Sequence, residues 1–230
     1  RSQSFSFDRG RIFVCDAESD DDLKRIIAAA RQDGRRTLYV GTAGMADNLM
    51  ELEKPTLPSF GVVASISSVA NEQMRYCERA GYAMVKVPVA RIMTGTARPE
   101  DYRDMAVEYL KSGRDTILLT DTAYDRELIE LSQEVGEKSG MDLTEVGDYV
   151  RSLIGRMAKE VLDSAAVSGV YLTGGDTALG MLMNIGADGS EILAEILVGV
   201  PLVRVKGGAY EGLKLVTKAG AFGTEDAAAF

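Results

Sequence analysis

A chain of 230 residues with 46% apolar and 27% charged residues can bury a sizeable core and has ordinary globular composition. Its formal net charge of −9 excludes the positive footprint that nucleic acid or an anionic membrane needs, yet leaves a phosphate-bearing small molecule open, because backbone amides and a few local cations hold phosphate. The absence of histidine excludes Ser-His-Asp and Cys-His catalysis and every His-containing zinc site, and Cys15 and Cys77 form no CxxC and read as buried thiols of a reduced, cytoplasmic protein.

In chain order, residues 11–16 (Arg-Ile-Phe-Val-Cys-Asp) have a strand pattern ending in an acid. Ser19-Asp20-Asp21-Asp22 supplies a cap and first-turn negative charge for a helix with apolar Leu23, Ile26, Ile27 and Ala30. Residues 37–40 read as the next strand, broken by Gly41-Thr42-Ala43-Gly44 before a short helix, and residues 54–58, with two prolines, form a connector. A strand at 61–66, a helix at 71–80, a strand at 83–89, a helix from Pro99 to about Lys111 and a strand at 116–120 follow. Residues 124–138 and 144–166 read as helices, 169–172 as a buried strand and 177–185 as a helix. Beyond Ser190 the texture changes: 191–198 is ambiguous, and 202–205 and 213–217 are strand-like, joined through Gly207-Gly208. The alternation predicts a three-layer α/β fold, with a largely parallel sheet, helices on both faces and an antiparallel C-terminal extension. No run approaches the roughly 20 apolar residues of a membrane span, and no signal peptide is visible. The start at Arg1 without methionine suggests the back part of a longer protein, with residues 1–10 a linker or remnant and 11–230 one domain.

Two glycine-rich turns carry most of the chemistry. Leu172-Thr173-Gly174-Gly175-Asp176-Thr177-Ala178 and Thr217-Lys218-Ala219-Gly220-Ala221-Phe222-Gly223 each follow an apolar run. Paired glycines at a strand-to-helix turn admit a ligand close to the backbone and leave the first helical N–H groups, at the positive end of the helix dipole, free for phosphate. Ligands of open parallel sheets bind beyond the carboxyl ends of the strands. Five predicted ends are small or polar: Asp16-Ala17, the 41–44 turn, Ala64-Ser65-Ile66-Ser67, the 174–177 turn and the 220–223 turn. Neither GxxxxGK[ST] nor a strand-borne GxGxxG is present, so these residues alone leave the ligand as a phosphate or carboxylate.

Taken in order, Asp16-Ala17 with Asp22-Leu23, the Gly41-Thr42-Ala43-Gly44-Met45-Ala46 run, Ser65-Ile66-Ser67 with Gln73, the 174–178 turn, Gly199-Val200-Pro201-Leu202 and the 217–223 turn resemble the nucleotide-binding C-terminal domain of the four-carbon acid sugar kinase family. The resemblance implies a kinase of carbohydrate metabolism that phosphorylates threonate, erythronate or 3-dehydrotetronate with ATP and Mg²⁺. Carried over by motif, it implies ATP contacts from Ser65 or Ser67, from Gly174, Gly175, Asp176 and Thr177, and from Gly220 or Gly223. This chain has Ala64 and Ala70 where the family's serine turn has a glycine and a threonine. The family's N-terminal Ala-Asp-Asp-Phe-Thr-Gly-Ala motif has no match here, which implies that the substrate-binding domain is absent and that this chain alone holds the donor only, without activity. The implied partners are then ATP, a sugar acid, the missing domain and a second copy of the chain.

Single residues keep two readings. Asp176 orients Mg²⁺ through water or caps the helix; Lys218 reaches a phosphate or is solvated; Asp16 and Thr42 belong to a site or close their turns. Asp20-Asp21-Asp22 reads as a helix start rather than a metal site, so no metal ligand and no catalytic base is assigned. Two other classes stay open on the residues: a dinucleotide-dependent oxidoreductase domain, and a non-catalytic sensor of a small sugar acid or phosphate.

Overall fold

The computed structural model describes residues 12–32, 36–53, 57–125 and 127–229. The expected remnant at 1–10, Arg11 and most of the 54–58 connector lie outside the described residues. The chain divides into two compact units, Arg1–Thr56 and Leu57–Phe230.

In the first unit, α1 (Asp20–Gln32) buries Ile26, Ile27 and Ala30 and carries Asp20, Asp21 and Asp22 in its first turn. Ser19 Oγ donates to Asp22 at 2.8 Å and accepts the Asp22 N–H at 3.2 Å, which holds the Asp22 carboxyl below its ordinary range. The second helix, α2 (Ala43–Glu53), is tied to α1 by Asn48, whose Nδ2 donates to Asp20 and to the Gly44 carbonyl, both at 2.9 Å. The strands expected at 11–16 and 37–40 are absent among the described residues. Ile12, Val14, Leu38 and Val40 are 88%, 93%, 88% and 88% exposed, and Cys15 is half-buried rather than buried. Their apolar pattern fits a strand, but among the described residues no neighbouring strand is there to pair with them.

The second unit is built on a seven-stranded sheet of β1 (Phe60–Val63), β2 (Ala83–Val87), β3 (Thr116–Thr120), β4 (Val170–Thr173), β5 (Gly189–Leu197), β6 (Val200–Lys206) and β7 (Lys214–Lys218). Its order is β2-β3-β1-β4-β7-β6-β5. The first five are parallel, and β6 and β5 continue the sheet antiparallel. Parallel strands are covered on both faces, so their apolar runs are continuous. On one face Phe60, Val62, Leu118, Val170 and Leu172 meet helices α5 (Pro99–Lys111), α8 (Leu143–Ser164) and α9 (Gly175–Asn184). On the other, Val63, Ile117, Leu119 and Tyr171 meet Met74 and Cys77 of α3 (Ser68–Arg79) and Ala123 of α6 (Asp121–Tyr124). Burial of Cys77 raises its thiol to about 11.

The segment expected as one helix over 124–138 is broken at Asp125, which is extended, into α6 and α7 (Glu127–Lys138). A short helix not anticipated, α4 (Val89–Met93), follows β2 through Pro88, and the half-buried Asp121 accepts the Val89 N–H at 3.1 Å. The ambiguous 191–198 run is strand β5, exposed along most of its length. Among the described residues no helix is long and apolar enough to cross a membrane.

Candidate functional site

From β1 the chain visits β2 and β3 on one side of it, then β4 and β7 on the other. The crevice beyond the carboxyl ends of β1 and β4 is therefore the topological switch point of the sheet. The register pairs Val63 with Thr173 and Thr173 with Lys218, so β1, β4 and β7 end side by side. With neighbouring strands about 4.8 Å apart, the 64–67, 174–175 and 219–223 turns leave the sheet along one edge.

Gly174 adopts φ +97°, a conformation that L side chains rarely take, and a Cβ there would lie 3.6 Å from Ser65 Cβ. Its N–H donates to the Lys218 carbonyl at 2.9 Å, and its own carbonyl accepts Ala178 N–H at 3.0 Å, which makes Gly174 the N-cap of α9. The helix thus starts at Gly175, earlier than expected. Among the described residues no acceptor faces the N–H groups of Gly175, Asp176 and Thr177, the first turn of α9. Nothing stands within 4 Å of the Cβ position of Gly175. These three donors stand at the positive end of the helix dipole, an arrangement that suits an anion.

The final turn is held from behind. Lys218, 3% exposed, points its Nζ at the carbonyls of Ala219, Gly220 and Phe222 at 3.0, 3.3 and 2.9 Å. Ser67 Oγ donates to the same Gly220 carbonyl at 2.6 Å and accepts Ala70 N–H at 3.1 Å. Buried Gln73 donates to the carbonyls of Phe222 and Thr224 at 3.1 and 2.9 Å. With the carbonyls turned inward, the N–H groups of Gly220, Ala221 and Gly223 have no acceptor among the described residues. Burial lowers the Lys218 ammonium to about 8.

A cleft of about 370 Å³ opens at this edge. Ala64, Ser65, Ile66, Gly174, Asp176 and Thr177 line it from the strand ends, with Thr122 beyond β3. Ile129, Ser132 and Gln133 of α7 and Leu143, Val146, Gly147, Val150 and Arg151 of α8 complete the wall. Arg151 is the one basic and Asp176 the one acidic residue among them, with Arg151 Nη1 3.8 Å from Asp176 Oδ1.

Of the candidates, Ser65, Gly174, Asp176 and Thr177 stand on the cleft wall. Ser67, Gly175, Gly220 and Gly223 are not among the residues that line it: a Cβ on Gly220 would come 2.5 Å from Ser65 Oγ, and one on Gly223 would come 3.4 Å from Gln73 Nε2. Two readings are corrected. Asp176 makes no capping bond, because Gly174 occupies the N-cap and the Asp176 side chain is 89% exposed. Lys218 is neither solvated nor directed at a ligand, since its ammonium is spent on backbone carbonyls. Asp16 and Thr42 belong to the first unit and do not follow a strand there. The sequence reading missed Arg151 and the α7 and α8 wall, whose only signal is a helix face that proximity to the turns makes meaningful.

The family model of the nucleotide-binding C-terminal domain matches residues 60–228. The chain belongs to that family. The model of the sugar-binding N-terminal domain matches residues 2–49. This nucleotide-binding domain and its leading segment are 32% identical over 222 residues to a D-threonate kinase of Salmonella typhimurium, covering 93% of the chain and 52% of that protein. A D-threonate kinase of Bordetella bronchiseptica is 30% identical over 224 residues, with 94% of the chain and 50% of that protein covered. A Bordetella bronchiseptica structure with bound citrate, a domain-swapped dimer, superposes with TM-score 0.60 at 26% identity over 91% of this chain and 49% of that one. The chain spans about half the length of the curated relatives it matches.

Proposed function

We propose that the Leu57–Phe230 unit binds ATP, and that the protein carrying this chain is a kinase for a four-carbon sugar acid of the threonate type. The observation that carries this is the row of open N–H groups at Gly175, Asp176 and Thr177, set at the switch point beside the tied-back 219–223 turn. The triphosphate lies against these amides, and Arg151 offsets its charge. Phosphoryl transfer is mainly positioning and charge stabilisation, and backbone donors fixed by the fold supply both without reorganising.

Among the described residues no group of three or more carboxylates, cysteines or histidines gathers as a metal cage. Mg²⁺ suits this donor set as an ion carried by the phosphates and water, with the exposed Asp176 carboxylate as the one acidic neighbour in the cleft. When bound, it would neutralise phosphate charge.

Residues 2–49, which match the sugar-binding domain model, read as belonging to such a domain. The test is thermal. Millimolar ATP with Mg²⁺ is expected to raise the Tm of the chain and NAD to leave it unchanged. An unchanged Tm with ATP, or an equal rise with NAD, contradicts the proposal.

A further inference from the structure

We propose that the bare backbone of α8 at Gly147 is the floor of a slot for the purine base of the nucleotide. This rests on the ATP reading above and extends it to a part of the cleft that no sequence motif marks. Glycine weakens a helix interior relative to alanine, so an interior glycine calls for a reason. Helices α7, α8 and α9 contain four. A Cβ on Gly136 would strike Val146 Cγ2 at 2.2 Å, one on Gly155 the Gly180 carbonyl at 2.8 Å, and one on Gly180 Arg151 Cγ at 2.7 Å. Those three glycines allow helices to approach each other. Gly147 has nothing within 4 Å of its Cβ position, is exposed, and lines the cleft. What its missing side chain leaves clear is the cleft itself.

The dimensions fit a nucleoside. Leu143, Gly147, Val150 and Arg151 share one face of α8, and eight residues of helix span about 12 Å. At the Arg151 end this face meets the start of α9, where the phosphate donors are. Toward Leu143 it turns apolar, and Ile129 of α7 lines the same cleft. A planar ring resting on exposed peptide backbone between branched apolar side chains needs a residue without Cβ beneath it. The Gln133 side chain, also on the wall, makes no hydrogen bond to the described residues. Its amide offers a donor and an acceptor together, the pair that matches adenine at N6 and N7.

The experiment measures binding to the 230-residue chain by calorimetry, using ATP with Mg²⁺ and, as a probe without a base, tripolyphosphate. Gly147→Leu is expected to weaken ATP at least tenfold while leaving tripolyphosphate within twofold of its original affinity and the unliganded Tm no lower than before. Gly147→Ala, the milder change should leucine disturb the helix, is expected to weaken ATP about threefold. Gln133→Leu is expected to cut the preference for ATP over GTP at least threefold. Full ATP affinity in both Gly147 variants overturns the slot. Equal affinity of the unaltered chain for ATP and tripolyphosphate also overturns it while leaving the phosphate cradle standing. If the unaltered chain binds neither, the cradle fails and takes the slot with it.

Discussion

Lys218→Met separates the stability of the fold from the order of the 219–223 turn. Three N–H donations vanish, but the Ala219 carbonyl keeps the Phe222 N–H, the Gly220 carbonyl keeps Ser67 and the Phe222 carbonyl keeps Gln73, so none of the three is left without a described partner. Each hydrogen bond from a charged group contributes about 1.5–3 kcal/mol, while burying an ammonium without a carboxylate beside it costs several kcal/mol. These terms nearly cancel, so the expected change in global stability is within about 1 kcal/mol, or about 2–4 °C in Tm. The turn itself does not escape. Re-ordering even two loosened residues on binding costs about 2 kcal/mol, which corresponds to about 30-fold in affinity. Calorimetric titration with ATP and Mg²⁺ is therefore expected to show about 30-fold weaker binding at a nearly unchanged Tm. Unchanged ATP affinity would refute the idea that Lys218 fixes the turn for the ligand.

The same lysine gives a pH dependence of two signs. Its value in the folded protein, about 8, lies below its ordinary 10.5, so the unfolded chain binds the proton more tightly. Lys218 then makes global stability rise with pH from about 8 to 10.5, while the neutral amine, with one donor fewer, holds the turn less well. ATP affinity is expected to fall through pH 8, and Lys218→Met to remove that dependence; a flat profile in the unaltered chain would speak against it. Gly175→Val meets open space, so it is expected to change stability by less than about 1 kcal/mol yet abolish the ATP-induced rise in Tm, and a retained rise would remove Gly175 from the cradle. Gly220→Ala drives a methyl to 2.5 Å from Ser65 Oγ and is expected to cost about 1–3 kcal/mol, read as a lower Tm in a thermal melt. Replacing Ile12, Val14, Leu38 and Val40 together by serine is expected to raise the monomer fraction in gel filtration without lowering the upper unfolding transition, because these side chains are almost fully exposed.

The second unit was legible because a parallel sheet announces itself through short apolar runs between amphipathic helices. The 116–120 strand and the helix opened by Pro99 fall where the pattern puts them, since every residue of Thr-Ile-Leu-Leu-Thr is buried and proline favours a first helical turn. The runs at 12–16 and 37–40 show the limit of the same signal. An apolar run reports a capacity for burial, and pairing depends on a neighbour that it does not encode. Helix α4 was hidden because the apolar pattern runs through Pro88, so that 83–89 reads as one continuous strand. The glycine turns were legible as turns, since Gly174 and Gly223 both take the positive φ that glycine favours. Lys218, Arg151 and Gly147 were not legible, because burial, a neighbour from another helix and an empty Cβ position exist only once the chain is folded.

The most direct measurement is a backbone amide NMR titration of the 230-residue chain with ATP and Mg²⁺. The largest shifts are expected at Gly175, Asp176 and Thr177, with smaller ones at Gly220 and Ala221. Saturating ATP that leaves the Gly175, Asp176 and Thr177 amides unmoved, or moves only residues remote from the β1 and β4 ends, would contradict the cradle.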